Sequence, residues 1–178
     1  CMEISGKTAG VVGLGKIGTH FAKMCLYGFG MEVLAYDPFV KETPEGITLV
    51  SDLNELLCRS DIVSLHCSLV DGTRKIINQE RLAVMKSSAL LINCARGPLV
   101  DEAALISALQ SGKLAGAGLD VTDPEPISPD SPLFQMDNVI VTPHYAPTTL
   151  EAAMRVSKIA AENIVSYLSG RAPVGRLI

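Results

Sequence analysis

Three glycines near the start of the chain have the spacing that a phosphate-binding turn requires. Gly13, Gly15 and Gly18 form the pattern GxGxxG, which begins at the last residue of the apolar run AGVVG, 9–13. The first glycine permits a tight turn from strand to helix, the second lets the backbone approach a pyrophosphate, and the third lets the helix pack closely on the strand. The phosphates would then lie against the N–H groups and the positive end of a helix that begins near Lys16.

An acidic residue follows at the distance expected for a dinucleotide site. Asp37 comes after a second apolar run, EVLAY, and stands 19 residues beyond Gly18, where a carboxylate can hydrogen-bond the adenosine ribose. The alternative is that the glycines serve packing alone and that Asp37 is a turn residue before Pro38. The complete strand, turn, helix and strand pattern favours the dinucleotide. A carboxylate that repels a 2′-phosphate, with no arginine directly after it, favours NAD over NADP.

Three further ionisable residues lie at predicted strand ends or in the loops that follow them. Arg96 follows the run LLINC, Glu125 lies in the proline-rich segment 122–137, and His144 follows the run VIVT. Arginine can bind a substrate carboxylate with two hydrogen bonds. Histidine can pass the proton that accompanies hydride transfer, and a glutamate beside it would hold the ring. Taken singly, each residue has an ordinary explanation: a cap on a carbonyl, a solvated loop acid and a strand-end histidine.

The elements that must position these residues alternate along the chain. Short apolar runs predict strands at 9–13, 32–36, 62–66, 90–94, 116–120 and 139–142, and helical patterns between and after them predict helices at 16–28, 51–58, 78–85, 101–111 and about 148–168. Such alternation predicts βαβ units in an open, doubly wound parallel sheet of the α/β class. Because the carboxyl ends of parallel strands line one crevice, we expect the glycine loop, Asp37 and the three ionisable residues to meet there.

Composition narrows the function classes. The 178 residues are 48% apolar, which predicts a folded domain, and the net charge of −4 offers no basic surface for nucleic acid. The chain contains no apolar run of 18 residues, so we expect no membrane-spanning segment. Its five cysteines lack metal-ligand spacing, so no metal site is predicted, and they fit a reducing cytoplasm. Because the first residue is Cys1 rather than methionine, we interpret the chain as a piece of a longer polypeptide.

Several segments together resemble the cofactor domain of the D-2-hydroxyacid dehydrogenases, and within that family the chain is most similar to the phosphoglycerate dehydrogenases. The resemblance covers essentially the whole chain. The similar segments are SGKTAGVVGLG at 5–15, YDP at 36–38, the stretch 66–73, INCARGPLVD at 92–101, GLDVTDPEP at 118–126 and VTPH at 141–144.

The resemblance implies a Rossmann-type NAD-binding domain over 1–147, with a C-terminal helix and tail, 148–178, that return toward a substrate domain mostly outside this chain. It implies that Arg96 binds the substrate, that Glu125 pairs with the histidine and that His144 donates the proton. Asp120 would face the nicotinamide carboxamide. The residues expected to contact the cofactor are Gly13, Gly15, Lys16, Ile17, Gly18, Asp37, Cys67, Ser68, Thr73, Cys94, Ala95, Arg96, Asp120 and His144.

The resemblance also implies a reaction, namely hydride transfer between NAD(H) and a small 2-hydroxy or 2-oxo acid such as 3-phosphoglycerate. Two alternatives remain open. One is a glyoxylate or hydroxypyruvate reductase, and the other is a non-catalytic, NAD-sensing module similar to the corepressors that share this fold. The full-length enzyme is expected to be a cytoplasmic homo-oligomer. The 178 residues alone are expected to bind NADH with little or no turnover.

Overall fold

The computed structural model describes residues 3–174. Contacts divide the chain into two compact units, Cys1–Pro143 and His144–Ile178. The division predicted from the sequence, at 147/148, lies a few residues further along the chain and stays a prediction. Cys1, on which the interpretation as a longer polypeptide rests, and residues 175–178 of the predicted tail lie outside the described residues.

The first unit is built on seven parallel strands, which confirms the predicted α/β class and doubly wound sheet. Their order across the sheet is β3-β2-β1-β4-β5-β6-β7. The sequence analysis missed β3 because three residues are too few to show a periodic pattern. The strands are β1 (Thr8–Val12), β2 (Glu32–Tyr36), β3 (Ile47–Leu49), β4 (Ile62–Leu65), β5 (Leu90–Asn93), β6 (Gly116–Leu119) and β7 (Val139–Val141).

Five of the six predicted strands end one residue earlier than the apolar runs suggest. The residue after each of these strands is Gly13, His66, Cys94, Asp120 or Thr142. Four of them still donate their backbone N–H to a neighbouring strand, as Gly13 does to the Tyr36 carbonyl oxygen at 2.8 Å. These residues therefore begin the loops that leave the carboxyl edge of the sheet, and the sheet itself sets where each loop begins.

Helices cover both faces of this sheet. They are α1 (Lys16–Lys23), which a π-helical turn over Met24–Gly28 continues, α2 (Leu53–Arg59), α3 (Gln79–Val84) and α4 (Glu102–Gln110). Neighbouring strand residues point to opposite faces, so Val11 belongs to the core under α1 whereas Val12 belongs to the larger core under the other helices. The side chains of Asp52, Asn78 and Asp101 accept hydrogen bonds from the first turns of α2, α3 and α4, which fixes where those helices start.

The proline-rich segment 122–137 is irregular, as predicted, apart from one 3-10 turn over Pro132–Gln135. In the second unit, α5 (Leu150–Leu168) begins after Thr149, whose hydroxyl accepts from the Ala152 N–H at 3.0 Å. The Asn163 side chain accepts from the Val174 N–H at 2.8 Å and donates to its carbonyl oxygen, which folds the described part of the tail back on this helix. Within residues 3–174, no helix is both long enough and apolar enough to cross a membrane.

Candidate functional site

The glycine loop joins β1 to α1 and is tightly constrained at its first and third glycines. Gly13 has φ +95°, and a Cβ there would lie 2.5 Å from the Cys67 nitrogen. A Cβ on Gly18 would collide with the carbonyl oxygen of Gly13. The turn and the close packing of helix on strand therefore both require glycine, as the sequence pattern predicts.

Gly15 differs from these two glycines because a Cβ at this position would meet no atom within 4 Å. It precedes α1, and the exposed Lys16 and Ile17 begin that helix. The first N–H groups of a helix have no partner inside it, and they lie at its positive end. The open space over these amides fits a pyrophosphate, so the residues present suit a dinucleotide.

Asp37 directly follows β2 and lies beside the glycine loop. One carboxylate oxygen accepts from the Leu14 N–H at 2.8 Å, and the other accepts from the Phe39 N–H at 2.9 Å. These bonds fix the carboxylate while leaving it half-buried. Since an ionised carboxylate has about four acceptor positions, it retains capacity for the ribose hydroxyls that the sequence analysis assigned to it.

A groove with a volume of about 430 Å³ opens beside Asp37. Its wall combines apolar side chains with a few polar groups, which suits a nucleoside. The sequence did not predict this groove because three of its seven lining residues lie at the end of β3 or directly after it, and β3 was not predicted. The lining residues are Tyr36, Asp37, Pro38, Val40, Leu49, Val50 and Ser51.

Five predicted cofactor residues lie along one edge of the sheet, in the order of its strands. Asp37, Gly13, Cys67, Cys94 and Asp120 follow β2, β1, β4, β5 and β6, which are adjacent in the sheet. At about 4.8 Å between neighbouring strands, these strand ends extend over about 19 Å. Burial and the nearby Asp37 charge raise the pKa of the Cys67 thiol, and burial and the Asp120 charge raise that of Cys94. The negative charges of Asp37 and Asp120 are therefore close enough to Cys67 and Cys94 to affect the pKa values of these thiols.

The loop after β4 contains Cys67, Ser68 and Thr73. The Thr73 hydroxyl donates to the Ser68 carbonyl oxygen at 2.7 Å and accepts from the Val70 N–H at 2.8 Å. These two bonds close the loop on itself. The Thr73 side chain therefore shapes the loop, and a cofactor contact by this residue stays a prediction.

Arg96 and Ala95 lie in the turn after β5, together with Cys94. The exposed Arg96 side chain donates from Nη1 to the Ala95 carbonyl oxygen at 2.6 Å. The buried Asn93 at the end of β5 bonds to the backbone of both Ala95 and Arg96. Sequence reasoning did not assign Asn93 a role; the signal for it was a polar residue at the end of an apolar run.

The turn containing Arg96 packs against the loop containing Glu125. A Cβ on Gly97 would overlap the carbonyl group of Thr122 and would lie 2.9 Å from the Asp123 nitrogen. The two backbones can approach this closely only because residue 97 has no side chain. The exposed Glu125 follows three residues after Thr122. The structure therefore brings together the loops that carry the predicted arginine and the predicted glutamate.

Asp120 follows β6 and is only 5% exposed. One carboxylate oxygen accepts from the Thr142 hydroxyl at 2.5 Å, and the Asp120 N–H donates to the Asn93 carbonyl oxygen at 2.9 Å. Thr142 directly follows β7, so neighbouring strands hold this acid from two sides. Thr142 is a second residue that the sequence analysis did not single out, although it precedes the Pro-His pair of the predicted site.

His144 is the first residue of the second unit. It is exposed and has φ +59°, in the left-handed region that few non-glycine residues occupy. Such backbone conformations concentrate at functional sites. The observation agrees with a special role for this histidine, and its pairing with Glu125 stays a prediction.

The other two histidines are not among the predicted catalytic residues. His66 follows β4, and its Nε2 lies 3.0 Å from the Ser64 hydroxyl. Its ring packs against Phe21 of α1 with 4.9 Å between ring centroids, and burial lowers its pKa. His20 is exposed on α1. His66 thus supports the helix that follows the glycine loop.

The family comparison agrees with this geometry. The sequence profile described as "D-isomer specific 2-hydroxyacid dehydrogenase, NAD binding domain" matches residues 1–146. The chain belongs to this family. Residues 1–146 are the NAD-binding domain of this family, as the resemblance implied.

Two relatives are similar over nearly the whole chain. A D-3-phosphoglycerate dehydrogenase from Methanocaldococcus jannaschii is 47% identical over 172 residues, which are 95% of this chain and 32% of that protein. A glyoxylate reductase from Thermofilum pendens is 46% identical over 176 residues, 96% of this chain and 51% of that protein. The chain therefore spans between a third and a half of the length of these curated relatives.

Solved structures share the fold. D-lactate dehydrogenase with NAD⁺ from Lactobacillus jensenii has a TM-score of 0.89 at 36% identity, covering 99% of this chain and 57% of that one. An acyclic imino acid reductase in complex with NADPH and D-Arg has a TM-score of 0.90 at 38% identity, covering 100% of this chain and 56% of that one. Each protein therefore shares the fold of this chain over somewhat more than half of its own length.

Proposed function

We propose that the protein carrying this chain transfers a hydride between NAD(H) and a 2-hydroxy or 2-oxo acid, and that Arg96, Glu125 and His144 act on the substrate. Membership of the family and the contact between the Arg96 turn and the Glu125 loop support this proposal. The contact through Gly97 is the single structural observation that carries it, because it brings together the backbones of the two loops that carry Arg96 and Glu125.

Each side chain has a distinct task in the reductive direction. When bound, NADH supplies the hydride. The Arg96 guanidinium, with five N–H donors, has more donors than its bond to the Ala95 carbonyl uses, so it can bind the substrate carboxylate and polarise the adjacent carbonyl. His144 gives its proton to the forming alkoxide, and Glu125 holds the imidazole in the required orientation. The oxidative direction uses the same groups in reverse.

The chain's own residues also suit the nicotinamide end of the cofactor. The buried Asp120 carboxylate, held by Thr142, can accept from a carboxamide N–H group. The pyrophosphate would bind over Gly15, and the adenosine would bind in the groove beside Asp37. These assignments follow the order of the strands along the sheet edge.

The substrate proposed first is 3-phosphoglycerate, with phosphohydroxypyruvate as its 2-oxo partner. The 47% identity to a D-3-phosphoglycerate dehydrogenase supports this choice. A glyoxylate or hydroxypyruvate reductase is the second candidate, because a glyoxylate reductase is 46% identical. The substrate of the first candidate carries a phosphate group and those of the second do not. Comparing kcat/KM for phosphohydroxypyruvate, hydroxypyruvate and glyoxylate therefore distinguishes the two candidates.

NAD is the proposed nicotinamide cofactor in preference to NADP. The Asp37 carboxylate, fixed by two backbone N–H groups, would lie where NADP carries its 2′-phosphate, and the two negative charges would repel each other. Phe39 and Val40 follow Pro38 where an arginine could neutralise that charge. The imino acid reductase bound to NADPH indicates that the same fold also serves the phosphorylated cofactor, so this preference is a property of the loop after β2.

A cytoplasmic location and a homo-oligomeric assembly belong to the same proposal. Free thiols at Cys25, Cys58, Cys67 and Cys94 are consistent with a reducing compartment. The assembly is supported by the family resemblance.

The test of the catalytic proposal is His144→Ala in the protein that carries this chain, expressed from its complete reading frame. Loss of proton transfer should lower kcat by about 10²–10⁴-fold. The affinity for NADH should change little, because the pyrophosphate and ribose residues follow β1 and β2. His20→Ala, which removes an exposed histidine outside the proposed site, is the control and should retain normal turnover. Near-normal kcat in His144→Ala would mean that another group carries the proton.

A further inference from the structure

Asn93 is a buried polar residue whose side chain bonds only to the turn that follows it, among the contacts of the described residues. It ends β5 and is 1% exposed. Its Oδ1 accepts from the Ala95 N–H at 3.0 Å, and its Nδ2 donates to the Arg96 carbonyl oxygen at 2.9 Å. Its own carbonyl oxygen accepts from the Asp120 N–H at 2.9 Å.

These bonds hold the turn that contains Arg96. A buried amide that were left without partners would cost stability, so its donor and its acceptor both hold the turn in one conformation. Gly97 fixes the far end of the same turn against Thr122. The Arg96 backbone is therefore fixed on both sides, by Asn93 before it and by Gly97 after it, while the guanidinium stays exposed.

We propose that Asn93 is a positioning residue that sets the direction in which Arg96 meets the substrate carboxylate. This inference rests on the proposed function, because it assigns Arg96 to the substrate. Asparagine suits the task since it offers one donor and one acceptor at the end of a short side chain. Aspartate has the same shape but places an oxygen against the Arg96 carbonyl oxygen, and alanine removes both bonds.

The predicted effect separates the substrate from the cofactor. In the protein expressed from its complete reading frame, Asn93→Asp should raise KM for the 2-oxo acid and lower kcat/KM on the order of 10²-fold, because a displacement of about 1 Å at a positioning group has that effect. The dissociation constant for NADH should change much less than KM, because the turn 94–96 holds only some of the expected cofactor contacts, whereas the glycine loop and Asp37 lie on other strands. A residue needed only for stability would not produce this split.

The test is a double-mutant cycle on kcat/KM for the 2-oxo acid, with NADH affinity measured on each variant. Asn93→Asp and Asn93→Ala are each made alone and together with Arg96→Ala. The matched control is Ser60→Ala, which removes another buried hydrogen bond, from the Ser60 hydroxyl to the Leu56 carbonyl oxygen at 2.7 Å, in a residue that follows α2. This control should keep the kinetic constants of the unaltered protein.

The positioning role predicts that Asn93→Asp lowers kcat/KM when Arg96 is present and has little further effect when Arg96 is absent. Equal losses in both backgrounds, or NADH affinity that falls in parallel with the oxo acid, would overturn it. If Asn93→Asp does not fold, Asn93→Ala is judged by the same comparison, and failure of both to fold would assign Asn93 to stability instead. If the unaltered protein reduces no 2-oxo acid, the proposed function fails first, and the positioning role fails with it.

Discussion

Asp37 illustrates how one side chain can serve both the fold and the ligand. Its bonds to Leu14 and Phe39 tie the end of β2 to the glycine loop, so the carboxylate is oriented before any ligand arrives. A group that is already in place loses little freedom on binding. The cofactor preference should therefore depend on this one carboxylate.

Replacing Asp37 should weaken the discrimination between NADH and NADPH. Asp37→Asn keeps an acceptor but removes the charge that repels a 2′-phosphate, so it should bind NADPH more tightly. Asp37→Ala should also lose NADH affinity, by about 1–3 kcal/mol if the ribose hydroxyls find no other acceptor. Calorimetric titration of both cofactors measures this, with Asp137→Asn, an exposed carboxylate on another loop, as the control. Equal affinity of the unaltered chain for NADH and NADPH would refute the assignment.

His66 should respond to pH in the opposite sense to a histidine in an ion pair. Burial lowers its pKa in the folded chain below the ordinary value of 6.5. Between the two values the unfolded chain binds more protons, so this contribution to stability is complete above about pH 6.5 and declines as pH falls toward the folded pKa. NMR titration of the His66 ring should give a pKa below 6.5. A His66 pKa at or above 6.5 would contradict this.

The elements themselves follow from the sequence, and their ends do not. Apolar runs predicted six of the seven strands, because buried parallel strands need Val, Ile and Leu on both faces. They did not predict that Asp120 and Thr142 leave the sheet, since the N–H bond of each residue to the neighbouring strand persists after its strand ends. The roles of Gly97 and Thr142 depend on contacts between separate loops, which no local pattern contains, whereas the Asn93 side chain bonds within its own turn. The three-residue β3 was missed, and the groove beside Asp37 with it.

The contact between the loops after β5 and β6 can be tested by adding a single carbon. Gly97→Ala should destabilise the chain by about 1–3 kcal/mol, because the new methyl overlaps backbone atoms that cannot move alone. It should also displace the Arg96 turn and lower turnover. Denaturant unfolding measures the first effect, and oxo-acid kinetics measure the second.

Gly72→Ala is the matched control for this change. Gly97 begins a 3-10 turn over Gly97–Leu99, and Gly72 lies in a similar turn over Asp71–Thr73, but a Cβ on Gly72 would meet no atom within 4 Å. The free energy of unfolding of Gly72→Ala should stay within about 0.5 kcal/mol of that of the unaltered chain. If Gly97→Ala is as stable as this control, the loops tolerate more separation than the structure indicates.

At the scale of the whole molecule, the proposed cofactor residues lie along one edge of the sheet. Phosphate, ribose and nicotinamide groups would follow adjacent strands, from Asp37 beside β2 to Asp120 beside β6. The match to a D-3-phosphoglycerate dehydrogenase covers 95% of this chain but 32% of that protein. NAD binding can therefore be assigned to this domain, whereas the complete reaction is proposed for the protein that carries it.

The most direct measurement of that proposal is the oxidation of D- and L-2-hydroxy acids with NAD⁺ by the protein expressed from its complete reading frame. Formation of NADH is followed with D-3-phosphoglycerate and with both isomers of glycerate and lactate. At least one D-acid should be oxidised, L-glycerate and L-lactate should not, and His144→Ala should remove the activity while NADH still binds. NADH formation from an L-isomer alone, or from none of these acids, would contradict it.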